Sequence, residues 1–199
     1  MRNTLIALLL FVACNNANKI DEQYLLTLQN HRDAITYQFI DKNTSPLNAN
    51  EIIHFKGLIY FDANAEFIVN AKFIPITKLV EIELPHTQNK TYTYTNVGVL
   101  EFNLNNSLYQ LTAFSSNYST KADSILIVIP FTDETNGKST YGGGRLLEFK
   151  IANKAHYTTL DFNYAFNPYC AFNSEYSCPI PPKENHLAVS INAGEKYNP

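Results

Sequence analysis

One pattern in the sequence that could bind an anion is a run of three glycines followed by an arginine, Gly142-Gly143-Gly144-Arg145. Adjacent glycines let backbone N–H groups converge on a negative charge, and an arginine can hold a carboxylate or phosphate with two parallel hydrogen bonds. The pattern is not a P-loop, because no Lys-Ser/Thr follows it and the next predicted element is a strand. The structural alternative, which we favour, is a β-bulge or tight crossing in which Arg145 pairs with an internal carboxylate such as Asp161 or Asp133.

A second group of polar residues lies between aromatic residues, directly after a predicted strand. Asp161, Asn163 and Asn167 could present donors and acceptors to a small ligand in an apolar pocket. Their commoner use in such a segment is to satisfy loop backbone through Asx-turns. Glu184 and Asn185, at the far end of the same segment, complete the candidate ligand-binding set.

Arg145 is expected to lie close to a carboxylate, because an arginine that turns inward is costly to leave unpaired. Asp161 is the first candidate for this partner and Glu184 is the second. The same two carboxylates define an alternative function, a hydrolase in which one of them acts as general base. That function would require a carboxylate of raised pKa in a cleft.

The cysteines beyond the N-terminal region are Cys170 and Cys178, with seven residues between them. In an oxidising compartment such a pair predicts a disulfide, and free thiols are the next alternative. A zinc site is the least favoured alternative, because His186 is the only further ligand nearby. The five histidines are far apart, without an HExxH pattern, and no serine lies in GxSxG. No metal and no cofactor are therefore predicted.

The first 13 residues consist of one positive charge followed by an apolar stretch, which is typical of a secretory signal. The stretch is shorter than the ~20 residues of a membrane-spanning helix. Ala13-Cys14 fits a lipobox, so we expect cleavage before Cys14 and lipid on that cysteine; an ordinary secretory signal with a free Cys14 is the alternative. Several acyl chains make membrane attachment stable. Residues 15–19 are then a polar tether, and the protein belongs in the cell envelope, facing the periplasm.

The remaining chain, residues 20–199, has the length of a single domain. The formal net charge is −3 and no run of basic residues occurs, so nucleic acid is not an expected partner. The chain has 13 Tyr and 13 Phe, and this aromatic content favours strands.

A helix is predicted over residues 20–41, with Asp21 as its N-cap and an apolar face formed by Tyr24, Leu25, Leu28, Ile35 and Phe39. Asn48 to Glu51 has the pattern of a capping box that opens a short second helix. From residue 56 the period becomes two, and ten strands are predicted: 56–61, 66–74, 78–84, 91–95, 97–104, 107–115, 124–131, 145–151, 157–162 and 187–192.

This succession of short strands predicts a mostly-β fold, an antiparallel β-sandwich or a curled barrel, with the N-terminal helix over one face or opening. The strand around Ile127 is apolar on both faces and should be central. Residues 163–186 form a long loop containing prolines and both cysteines, and a loop of that length is usually functional or disordered. Its aromatic content argues against disorder.

Several motifs together resemble one known family, the domain of unknown function 1684 family. They are Phe55 to Phe61, Phe131-Thr132-Asp133, Gly142 to Arg145, Asp161-Phe162-Asn163, Asn167-Pro168, Cys170-Ala171-Phe172, Cys178 to Pro182, Glu184-Asn185 and Ala193 to Lys196. The resemblance covers about residues 30 to 197 and implies one shared domain without an established activity. The family pattern has Arg or another large residue at the position of His186, which argues against zinc, and two prolines where this chain has Pro168-Tyr169.

The leading functional prediction is a ligand-binding or envelope-associated module, anchored to a membrane by lipid. Its pocket is expected where the strand that starts at Arg145 meets the 161–186 loop. The alternatives are the hydrolase and a purely structural lipoprotein. The sequence gives no prediction of the oligomeric state.

Overall fold

The structure is a computed structural model that describes residues 20–119 and 123–197. The predicted signal, the lipidation site at Cys14 and the tether lie outside these residues.

The predicted N-terminal helix is present as α1, Glu22–Ile40. Asp21 occupies its N-cap position, but the Asp21 side chain makes no capping hydrogen bond. The face that packs on the domain consists of Leu28, Arg32 and Phe39, which are buried. The predicted apolar face was therefore too broad, since Leu25 is 42% exposed and the fully enclosed stripe includes a charged residue.

The second helix, α2, covers Ala49–His54 and begins with the predicted capping box. The Asn48 side chain accepts hydrogen bonds from the backbone of Asn50 and Glu51, and the Glu51 carboxylate accepts one from the backbone of Asn48. This reciprocal arrangement satisfies N–H groups that a helix start leaves without partners.

Seven strands form the sheet, and they confirm the mostly-β fold: β1 Ile68–His86, β2 Lys90–Leu104, β3 Ser107–Ser115, β4 Ser124–Asp133, β5 Arg145–Ala152, β6 Tyr157–Asp161 and β7 His186–Leu187. The order is β5-β4-β3-β2-β1-β6, all antiparallel, while β7 pairs in parallel with β4. Leu146 in β5 and Phe166, just after β6, exchange both backbone hydrogen bonds at 2.9 and 3.0 Å. The sheet is therefore nearly closed into a barrel, the second of the two predicted architectures.

Two pairs of predicted strands are each one long strand in the structure. The predicted strands 66–74 and 78–84 are both part of β1, whose pairing with β2 shifts register between Pro75 and Val80. The predicted strands 91–95 and 97–104 are both part of β2, with a shift against β3 between Asn96 and Gly98. Such bulges bend a strand without ending it.

The first and last predicted strands are mostly irregular. Within residues 56–61, one isolated bridge joins Tyr60 to Glu195. Of residues 187–192, only Leu187 belongs to a strand, the two-residue β7. The centre of β4, residues 127–131, is buried on both faces as predicted. In the core, the Phe162 ring contacts the rings of Phe102 and Phe131.

Helix α1 packs on the C-terminal segment, residues 163–186, and also contacts the end of β6 through Tyr24 and Asp161. Phe39 contacts Tyr169 and Phe172, with ring centroids 5.8 and 4.9 Å away, and His31 contacts Tyr164 at 4.9 Å. None of the described helices has the length and apolar composition required to cross a bilayer. The helix and this segment together line a concave region of the described structure.

Candidate functional site

Arg145 is fully buried and its guanidinium is committed to internal partners. It forms an ion pair with Asp133 at 2.9 Å and also donates to the backbone carbonyls of Ile191, Ala193 and Glu195. The prediction that Asp161 or Glu184 pairs with Arg145 is therefore wrong, and Asp133, named in the structural alternative, is the partner. Arg145 lies opposite Phe131 across the β4–β5 pair, and Asp133 is on the same face two residues further along.

The glycines before Arg145 let the chain approach its neighbours closely. Gly144 has φ +95°, and a Cβ atom on it would lie 2.6 Å from the Phe131 carbonyl oxygen and from Pro181. Arg145 is 0% exposed and offers no surface to an external anion. The tight-crossing interpretation of this motif therefore agrees with the observed geometry.

Two of the three predicted asparagines join loops to their neighbours. The Asn163 side chain exchanges two hydrogen bonds with the backbone of Asn64, at 2.9 and 3.0 Å. Asn185 accepts from the Thr112 N–H at 2.7 Å and donates to the carbonyls of Thr112 and Pro130. Each holds the C-terminal segment to an earlier part of the chain.

The two carboxylates considered for hydrolysis also lie away from a cleft. Asp161 accepts hydrogen bonds from the Tyr24 hydroxyl at 2.8 Å and from Asn163, and it caps a short 3-10 turn. Glu184 is exposed. Neither residue lines the cavity described next.

A cavity of about 530 Å³ lies between α1 and the C-terminal segment, within the usual volume of a small-molecule site. Arg32, Ile35 and Phe39 line it from α1, and Leu146 lines it from β5. Six further aromatic residues line it: Tyr60, Tyr94, Tyr164, Phe166, Tyr169 and Tyr176. The cavity lies near β5 and the 161–186 segment, but of the predicted ligand-binding residues only Asn163 and Asn167 line it, and Gly142 to Arg145 do not.

Arg32 is a buried cation without an anionic partner in this cavity wall. It is 9% exposed, and its Nε and Nη2 atoms have no hydrogen-bond partner among the described residues. The guanidinium lies over the Tyr60 ring, with Cζ 4.4 Å from the ring centroid, and forms no ion pair with a described carboxylate. Burial lowers the pKa of Arg32, but an arginine side chain stays charged.

Two further polar groups in the cavity wall lack partners. Asn167 donates both amide hydrogens, to Glu195 and to the Lys196 carbonyl, and its Oδ1 has no donor. His86 is 6% exposed, and its Nε2 has no partner among the described residues. Because most buried polar groups in proteins are hydrogen-bonded, three such groups around one cavity are an unusual feature of the described residues.

Glu195 also lines the cavity and is 1% exposed. Burial raises its pKa to about 7, and hydrogen bonds from Asn167 and the nearby Arg145 act in the opposite direction. This carboxyl group therefore changes charge near neutral pH, beside the cavity.

Sequence reasoning missed Arg32, His86 and Glu195 as site residues. Arg32 and His86 lie in no recognisable motif, and no site role was predicted for Glu195 in the Ala193–Lys196 motif. For Arg32 one signal was available. It is the residue four positions after Leu28 and seven before Phe39, so helical periodicity places it in the middle of the apolar face.

Cys170 and Cys178 are adjacent and are free thiols in the structure, so the predicted disulfide is not present in it. The Cys170 N–H donates to the Cys178 sulfur at 3.2 Å. A hydrogen bond from Cys178 lowers the pKa of Cys170 to about 7, with further donors from Thr87 and Tyr141, whereas the pKa of Cys178 is raised. His186 contacts Thr132 and Glu134 instead, and the described residues contain no cluster of three metal-ligating side chains.

A mostly-β domain with a helix-covered, ligand-sized cavity is the class that this fold and site define. The chain belongs to the family described as "Protein of unknown function (DUF1684)", which matches residues 53–196. It is also similar to the solution NMR structure of the uncharacterized protein from gene locus rrnAC0354 of Haloarcula marismortui. That similarity has a TM-score of 0.70 and 31% identity over 88% of this chain and 95% of the other. No curated protein matches.

Proposed function

We propose that the domain binds a small organic anion with an apolar body in the cavity between α1 and the C-terminal segment. The observation that carries this proposal is the buried Arg32 guanidinium, which has no carboxylate partner. A buried charge is costly unless it is paired, and a ligand carboxylate or phosphate would supply the missing partner. The aromatic walls suit the apolar part of such a ligand.

Arg32 is the residue whose replacement tests this proposal. We expect octanoate to bind the wild-type protein, and Arg32→Met to weaken that binding at least about tenfold by removing the charge while keeping a long side chain. The thermal stability of unliganded Arg32→Met should equal or exceed that of wild type, because an unpaired buried cation has been removed. Isothermal titration calorimetry and thermal denaturation provide the two measurements.

The matched control is Lys150→Gln, which removes one positive charge from an exposed position on β5 outside the cavity. It should leave octanoate binding unchanged. Octanol and octylamine, as neutral and cationic counterparts, should bind more weakly than octanoate. Equal octanoate affinity in wild type and Arg32→Met would contradict the proposal.

We also propose that the protein is an envelope lipoprotein, on the basis of Ala13-Cys14 after the apolar N-terminal stretch. Wild type should fractionate with membranes and enter the detergent phase, while Cys14→Ser should leave a soluble or uncleaved precursor, because the acyl chains provide the attachment. Detergent-phase partitioning measures the difference. A processed wild-type protein found wholly in the aqueous phase would contradict lipidation.

In the cell envelope, which is an oxidising compartment, we propose that Cys170 and Cys178 form a disulfide. The two thiols are already adjacent, and the Cys170 thiolate, favoured by its lowered pKa, is the form that reacts. The short loop between them makes the bond worth only about 2 to 3 kcal/mol. Intact mass after alkylation without reductant checks this, and uptake of two alkyl groups by protein from the envelope would mean that no bond exists.

A further inference from the structure

The side chain of His86 lines the cavity in a defined tautomer. Its Nδ1 lies 3.3 Å from the backbone carbonyl oxygen of Ser177. A carbonyl oxygen only accepts hydrogen bonds, so Nδ1 carries the hydrogen. The ring is held between aromatic neighbours, with its centroid 4.5 Å from Tyr92 and 5.8 Å from Tyr94, so the side chain is fixed in this orientation.

The second ring nitrogen, Nε2, is therefore a hydrogen-bond acceptor. Burial lowers the pKa of His86, which keeps the ring neutral at pH 7, and a neutral ring with hydrogen on Nδ1 has a lone pair on Nε2. This lone pair is buried and receives no hydrogen bond from any described residue. An acceptor in that state is complemented by a ligand O–H or N–H group.

A series of contacting residues separates His86 from Arg32, and both line the cavity. Phe39, seven residues after Arg32 on α1 and so about 10 Å further along the helix axis, contacts Tyr169. Tyr169 in turn contacts Tyr176, whose carbonyl accepts a hydrogen bond from Thr87, the residue after His86. Aromatic side chains form part of the cavity wall together with these two residues.

We infer that the natural ligand carries a hydroxyl or amine donor at the end remote from its anionic group, and that His86 Nε2 accepts a hydrogen bond from that donor. This inference rests on the proposed binding of an organic anion at Arg32. It narrows the ligand class to ω-hydroxy or ω-amino organic acids with an apolar body. Arg32 alone would bind different organic anions with similar affinity. His86 then favours anions that carry a hydrogen-bond donor, because a ligand without one leaves the buried acceptor unpaired.

Probes of known length test this assignment. The affinities of ω-hydroxy fatty acids with six, eight and ten carbons are compared with those of the matching unsubstituted acids, by calorimetry on the full domain. In wild type the hydroxyl should improve affinity about tenfold or more at one chain length. In His86→Phe, which keeps an aromatic ring at this position, the ratio of hydroxy-acid to plain-acid affinity should fall to about one at every chain length.

A second measurement does not depend on a variant. The ¹⁵N resonance of His86 Nε2 in the wild-type protein should shift on addition of the best hydroxy acid and stay unchanged with its unsubstituted counterpart. Arg32-dependent binding of the plain acids, without a hydroxyl effect at any length, would overturn the role of His86 and leave the proposed function intact. Failure of every carboxylate to bind would overturn both.

Discussion

Replacing Arg145 with alanine is expected to lower the free energy of unfolding by about 3 to 5 kcal/mol, a large part of the 5 to 15 kcal/mol typical of a domain. The change leaves the Asp133 carboxylate buried without its counter-ion, at 3% exposure. It also removes the donor shared by three backbone carbonyls in residues 191–195. Urea denaturation of the wild-type and variant proteins measures the loss.

Double-mutant cycles identify the partner of Arg145. Arg145→Ala and Asp133→Asn should be strongly non-additive, because each removes one member of the same ion pair. Arg145→Ala with Asp161→Asn is the matched control and should be additive, since Asp161 bonds to Tyr24 and Asn163 instead. Arg145→Lys should still be destabilised, because lysine keeps the charge but not the planar fork that reaches several acceptors. Additivity with Asp133 would contradict the pairing.

Gly144→Ala is expected to destabilise the domain by about 2 to 4 kcal/mol, through two separate causes. The backbone at Gly144 has φ +95°, which residues with a Cβ rarely adopt. The added methyl group would also lie 2.6 Å from the Phe131 carbonyl oxygen, an atom held by the β4–β5 pairing. Thermal and urea denaturation should both report the loss.

Gly142→Ala is the matched control within the same glycine run. Its backbone is not in the left-handed region, and the nearest atom to an added Cβ is the Gly137 Cα at 3.8 Å. This variant should lie within about 0.5 kcal/mol of wild type. Similar losses of stability in the two variants would contradict this prediction, because only Gly144 of these two glycines closely approaches its neighbours.

Local patterns in the sequence predicted most of the elements. The period-two segments became β3 to β6 with bounds within two residues, and the Asn48–Glu51 capping box starts α2 as expected. Strand ends were less predictable where the chain is irregular but stays paired, as between Pro75 and Val80. The residues of a bulge have the sequence pattern of a turn, although the strand stays hydrogen-bonded to its neighbour on both sides of the bulge.

The candidate site was predicted only in outline, because its geometry depends on contacts distant in sequence. Asp133 and Asp161 are both plausible partners for Arg145 by residue type, and only the order of strands in the sheet distinguishes them. Whether Arg32 has an ion-pair partner likewise depends on contacts with residues distant in sequence. A helical arginine is normally a solvated residue. Helical periodicity places this one on the apolar face, but the sequence does not show which groups surround its guanidinium.

The hydrogen bonds that Arg145 donates to residues 191–195 link the core to a part of the chain that is synthesised much later. The carbonyl acceptors of Arg145 lie 46, 48 and 50 residues downstream, in the segment from Ile191 to Glu195. A nascent chain that ends at residue 190 contains every strand of the described sheet. It lacks the three carbonyl groups that accept hydrogen bonds from the buried Arg145 guanidinium. Burial of Arg145 in the core therefore depends on residues 191–195, and a deletion of that segment would act on the centre of the domain.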